Sequence, residues 1–185
     1  EKDTELTDYL AEGVLKTVMH QAKVLLTDPE NYEARSEVFW AGSLSHNGLT
    51  GCGRAGDWAC HQLEHELGGM FDVTHGAGLA AVWGSWARYV YKSDVDRFAK
   101  LAVDVLGIPY DYADPERTVL EGIEAMEDFF RSIHMPVSIS ELGVELTDGQ
   151  IEELAYKCSH MDKRTIGGVQ KLDRKDMAEI YRMAR

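Results

Sequence analysis

The sequence has no apolar stretch long enough to cross a bilayer. Charges or glycines interrupt every run well short of the ~20 residues that a membrane helix needs. Positive charge is scarce: 19 Lys and Arg stand against 32 Asp and Glu. The resulting net charge of −13 repels both nucleic acid and anionic membrane, so neither is an expected partner. Cysteine is scarce too. Cys52, Cys60 and Cys158 are odd in number and lack framework spacing, which argues against a disulfide scaffold and reads as reduced thiols in a cytoplasmic protein. The opening segment from Glu1 to Leu10 is acidic and has no apolar h-region, so no signal peptide is read there. There is no internal repeat and no low-complexity tract. No alternating apolar and polar segment is long enough for a strand, and Met135–Ser140 is short and contains Pro136.

What is present is a helical pattern. At 185 residues, with 44% hydrophobic side chains, the chain can bury the core of a single soluble domain. Leu6, Tyr9, Leu10, Val14, Val18 and Ala22 recur at helical steps and predict a first helix with one buried face. Asp28-Pro29 stops it, and Asn31 caps a second helix through Val38, Trp40 and Leu44. The glycines at 48, 51, 53 and 56 form a loop. Asp57 caps a third helix from Trp58 to about Met70, and Gly68-Gly69 weakens its last turns or lets another backbone approach closely. Thr74 caps a fourth helix through Trp83, Trp86 and Tyr91. Four more are predicted over Val95–Val105, Pro115–Ile133, Asp148–His160 and Asp173–Arg185. Asp114-Pro115 is an N-cap followed by a first-turn proline, and Gly107 lies just past the preceding helix. The expected fold is a compact all-α multi-helix bundle.

Three of the seven histidines, His61, His65 and His75, fall in one glycine-rich, aromatic-flanked window running from Trp58 to Ala81. His61 and His65 share a helix face. His75 follows the glycine pair, at the start of the next helix, where a turn can aim it back at His61. Imidazole suits zinc and ferrous iron. Gly76 and Gly78 leave room beside His75 for a cofactor or substrate, and a helix N-terminus there favours an anionic group. His20, His46, His134 and His160 read as ordinary core or surface residues. Cys60 reads as a small buried side chain rather than a ligand.

Spacing also supports a rival. His61-Gln-Leu-Glu64-His65 fits the inverted-zincin pattern, in which both histidines hold zinc and Glu64 activates water. That peptidase needs a third, carboxylate ligand on a later helix. Glu121, Glu124, Glu127 and Asp128 are available, although such a run is usually a solvated face. A third reading is a non-catalytic helical interaction domain whose histidines are structural.

The run from Trp58 to Gly78, continuing through Leu79-Ala80-Ala81, resembles the second signature of the iron-containing alcohol dehydrogenases, and within them the butanol dehydrogenase branch. His61, His65, Gly68-Gly69 and His75-Gly76 occur in the order of that signature, and Pro29–Tyr32 also matches the branch. The resemblance implies that His61 and His75 bind a divalent metal, Fe2+ or Zn2+. It places His65 beside the metal and the nicotinamide, close to substrate, as the catalytic and cofactor-contacting residue. It also implies hydride transfer between NAD(P)H and a primary alcohol or aldehyde held at the metal. In the family a dinucleotide-binding domain precedes an all-helical one, and residues 1–185 resemble the helical, metal-binding domain alone. Two further ligands of the family, an aspartate and a histidine one turn apart, are missing here: Asp3 and Asp8 have no such histidine, and His20 lies in the wrong context. The start at Glu1, without an initiator methionine, reads as a hint that something upstream has been removed. The expectations are therefore weak metal binding and no dehydrogenase activity for the segment alone, and self-association through the face that would meet the other domain. Trp40, Trp58, Phe71 and Trp86 are expected to pack in the core rather than line a substrate pocket.

Overall fold

The computed structural model describes residues 4–185, so Glu1, Lys2 and the candidate Asp3 lie outside the described residues. Eight α-helices form there: α1 (Glu5–Thr27), α2 (Tyr32–His46), α3 (Ala59–Phe71), α4 (His75–Val90), α5 (Val95–Asp104), α6 (Pro115–Ser132), α7 (Asp148–Cys158) and α8 (Arg174–Ala184). Every predicted helix is present, with ends displaced by less than a turn. The only β pairing among the described residues is one antiparallel bridge, Ile166 to Leu172.

Local chemistry sets most of these ends. The Asn31 side chain accepts from the Ala34 N–H at 2.9 Å, and Asp114 accepts from Arg117 at 3.3 Å ahead of Pro115. Gly107 takes φ 74° just beyond α5, a conformation that carries a steric penalty for side chains with a Cβ. Thr147 and Asp173 each complete a reciprocal capping box at α7 and α8. The glycine loop folds into a 3-10 turn at Leu49–Gly51.

The core sits where α3, α4, α7 and α8 meet. Leu63 and Leu67, Ala81 and Val82, Ile151 and Leu154, and Met177 and Ile180 are buried in turn from those four helices. Each large apolar side chain contributes about 1.5–3 kcal/mol by leaving water. The buried Tyr181 hydroxyl donates to the Leu63 carbonyl at 2.6 Å, tying α8 to the middle of α3. Burial of that ring pushes the phenol well above its ordinary pKa, so it stays a donor. Helices α5 and α6 approach closely because Gly122 faces Ala102.

Two expectations about faces are corrected. The apolar stripe of α1 forms a helix, but the one residue of α1 that is buried is Asp8; Leu6 and Tyr9 are 72% and 57% exposed. Helix α1 pairs with α2 and lies outside the main core, so its stripe is covered on one flank only. The acids of α6 are not all solvated either. Glu127 is buried and forms a bidentate pair with Arg88, in space left by Gly84. Periodicity alone cannot see that space, because it belongs to another helix.

Candidate metal centre

The site is built around the turn between α3 and α4. Asp57 stands one residue before the N-cap, Trp58, and its carboxylate holds the helix start from there. Its Oδ1 accepts from the Ala59 N–H at 2.7 Å, while Oδ2 accepts from the N–H groups of Gly168 and Val169 at 2.6 and 2.8 Å. One carboxylate thus joins the first turn of α3 to the α7–α8 connection. Gly68-Gly69 does not fray α3. The helix runs on to Phe71 and stops where Asp72 enters the left-handed region at φ 54°, its N–H bonded to the Gly68 carbonyl at 2.8 Å. Three residues later α4 begins at His75. Thr74 occupies the cap position without a side-chain capping bond.

This reversal brings the three histidines together. Ring centroids are 5.6 Å apart for His61–His75, 5.5 Å for His65–His75 and 6.4 Å for His61–His65. Two imidazoles on one tetrahedral metal, each bound at ~2.0–2.1 Å, hold their centroids roughly 5 Å apart. Both pairs that include His75 are near that spacing. The pair required by the inverted-zincin pattern is the widest of the three.

Glu64 lies beneath them. It is 2% exposed, and its Oε2 is bonded to His75 Nδ1. Donor atoms of Glu64, His65 and His75 all lie within 4.8 Å of one another. The room near Gly78, expected for a cofactor or substrate, is filled by Glu64: a Cβ on Gly78 would sit 2.7 Å from Glu64 Cγ and 2.8 Å from Oε1. Gly76 faces open space. Desolvation, and then the neighbouring His75 and His65, lower the pKa of His61 and favour its neutral, ligating form. Burial pushes the Cys60 thiol well above its ordinary value, consistent with an inert packing residue. Burial likewise raises Cys158 to about 12, and its S–H lies 3.4 Å from the Gln62 carbonyl.

Trp58 corrects the expectation of core packing. It is 60% exposed, stands edge-on to His61 at 4.9 Å, and lines an open pocket of about 370 Å³ with His61, Gln62, His65, Glu66, His160 and Arg164. Its place at the N-cap of α3 swings the indole out over the first turn. Trp40 is exposed as well, whereas Trp86 and Phe71 pack in or against the core. His160, expected as an ordinary core or surface residue, is exposed and lines this pocket from a run of positive φ values at His160, Met161 and Asp162. His46 bonds the Gly42 carbonyl instead. Asp8 is far from free: Arg54 and Arg97 hold its carboxylate, and the Arg97 hydrogen bond above all keeps its pKa below the ordinary value.

The donor set fits a borderline-soft divalent cation: imidazole nitrogens, one of them backed by a carboxylate. Residues 1–185 match the family model for the C-terminal region of the Fe-containing alcohol dehydrogenases. The chain belongs to the iron-containing alcohol dehydrogenase family. Within this family, it is 31% identical to NADH-dependent butanol dehydrogenase A of Clostridium acetobutylicum, over 95% of this chain and 44% of that protein. It is 37% identical to an NADPH-dependent aldehyde reductase of Escherichia coli, over 77% of this chain and 36% of that one. The crystal structure of butanol dehydrogenase A from Thermotoga maritima superposes with a TM-score of 0.90 at 31% identity, covering 97% of this chain and 46% of its own. The chain therefore spans under half the length of these iron-containing alcohol dehydrogenases, and its all-α architecture is that of their C-terminal region. Membership speaks against the inverted-zincin and plain interaction-domain readings. The burial of Glu64 does so independently, since its carboxylate is spent on His75 rather than offered to water. No described helix is long and apolar enough to cross a membrane.

Proposed function

We propose that this chain is the metal-holding part of an NAD(P)-dependent alcohol dehydrogenase or aldehyde reductase acting on small primary alcohols or aldehydes. His61 and His75 are its metal ligands. The order of the signature selects this pair, and the convergence of the two rings across the α3–α4 turn, at 5.6 Å, supports it; His65 stands as near to His75, at 5.5 Å, so distance alone does not choose between them. A divalent metal, iron or zinc, would supply Lewis acidity at the substrate oxygen, and a nicotinamide the hydride. The chain's own residues do the rest. His61 and His75 present nitrogens from two helices whose mutual position the buried core fixes. His65 is exposed, and its ring lies over His75 at 5.5 Å with planes 30° apart; the family signature assigns it to the substrate side. It is suited to give a proton to the substrate oxygen on reduction and to take one on oxidation. Trp58 shields one flank of His61 from water. Two imidazoles leave a tetrahedral site half filled, so the remaining ligands and the nucleotide fold must come from outside residues 1–185.

The test is metal content and turnover of single variants in the full-length protein. His61→Ala and His75→Ala should lose stoichiometric metal and with it NAD(P)H-dependent reduction of butanal. His65→Ala should keep its metal and lose turnover. Retention of metal by His61→Ala, with loss by His65→Ala, would overturn the assignment of ligands.

A further inference from the structure

Glu64 is the one buried acid in the site segment, and its location requires a physical reason. A carboxylate 2% exposed loses several kcal/mol of hydration unless a specific partner replaces the water. Among the described residues its one hydrogen-bond partner is His75 Nδ1. The space it occupies is also reserved for it. A Cβ at Gly68 would stand 3.1 Å from Glu64 Oε1, and one at Gly78 would stand 2.8 Å from the same atom and 2.7 Å from Cγ. Glycines on two different helices therefore keep open the slot through which the carboxylate reaches the underside of the imidazole.

From this geometry we infer that Glu64 is a positioning residue that fixes the tautomer and orientation of His75. Its carboxylate accepts the Nδ1 proton, which leaves the Nε2 lone pair as the only donor His75 can offer. The ring's outer part is free to do so, because the His75 side chain is 52% exposed while that of Glu64 is covered. An imidazole held this way is a stronger and better-aimed ligand than a free one. The glutamate of the His61–His65 segment thus acts neither as a base on water nor as a ligand. It acts through its neighbour on the next helix. This inference rests on His75 being a metal ligand, and the experiment separates the two.

In the full-length protein, zinc affinity is measured by competition with a chromophoric chelator, for Glu64→Ala, Glu64→Gln, Gly78→Ala and His75→Ala. The 15N spectrum of the zinc-loaded protein identifies which His75 nitrogen is metallated. The expected result is zinc on Nε2 with Nδ1 still protonated. Glu64→Ala should bind about 10- to 100-fold more weakly, the range for loss of such a supporting carboxylate. Glu64→Gln, which can still accept the Nδ1 proton, should recover part of that loss. Gly78→Ala, which displaces the carboxylate while leaving both partners chemically intact, should weaken zinc as well. Should Glu64→Ala fail to fold, the Gln and Gly78 variants decide. Zinc on Nδ1, or near-parental affinity in both Glu64→Gln and Gly78→Ala, overturns the role of Glu64. Undiminished affinity in His75→Ala overturns the metal site itself.

Discussion

Gly122 gives the sharpest test of how the bundle is held together. It lies in α6, and a Cβ there would overlap the Cβ of Ala102 on α5 and stand 3.1 Å from its Cα, inside the ~3.5–4.0 Å optimum for carbon pairs. The obstructing atoms are a methyl and a backbone carbon, so no rotamer change relieves the overlap and the helices must separate. Two effects oppose each other in Gly122→Ala. Helix propensity favours alanine by about 0.8–1.0 kcal/mol. Overpacking costs about 1–3 kcal/mol, towards the upper end where backbone has to move. The balance is a net loss of about 1–2 kcal/mol, or roughly 2–8 °C in Tm for a chain of this size. Gly13 in α1 is the internal control, because a Cβ there meets nothing within 4 Å. Gly13→Ala should show the propensity gain alone. Thermal melts by circular dichroism compare the two, and Ala102→Gly added to Gly122→Ala should recover the overpacking share through the coupling between the sites. If Gly122→Ala raises Tm as much as Gly13→Ala does, the close approach of α5 and α6 is refuted.

Asp8→Asn should cost about 2–3 kcal/mol at pH 7, because it removes the buried negative charge between Arg54 and Arg97 and turns one of its two acceptor oxygens into a donor. The folded carboxyl titrates below its ordinary value of 3.8, so its stabilisation is present above about pH 4 and lost as pH falls through the folded pKa. The gap between parent and variant melts should therefore narrow at pH 3; an equal gap at both pH values would sink this account. Tyr181→Phe removes the 2.6 Å bond to the Leu63 carbonyl and should lower stability by about 1–1.5 kcal/mol in urea unfolding, and an unchanged midpoint would refute that bond.

The helices were legible in the sequence because their ends are marked by local chemistry. Asn31, Asp114-Pro115 and Gly107 each act within a turn of where they stand, and each does so in the structure. That a turn could aim His75 back at His61 was legible in the residues, but the choice of His75 over His65 as the second ligand came only through the long signature, since spacing favoured His61 with His65. Other features depend on the meeting of distant segments. Nothing near Glu64 announces that Gly78 will open a slot for it, and nothing near Glu127 announces Gly84. The stripe on α1 obeyed the helical period and still remained half bare, because periodicity says which residues share a face and not what will cover it. The exposure of Trp58 followed from its position at a helix start, where packing partners exist on one side only.

The second oxygen of Asp57 has a consequence for how such a chain can change over time. Surface connections between helices ordinarily absorb insertions and deletions with little penalty. The connection between α7 and α8 has less freedom, because the N–H groups of Gly168 and Val169 must arrive together at Asp57. Gly167 turns at φ 91°, and a Cβ on Gly168 would stand 3.2 Å from the Gly56 carbonyl. Length drift in this loop would loosen the first turn of α3, which carries His61. Lineages that keep the metal centre should therefore vary this stretch by substitution around its two glycines rather than by insertion or deletion.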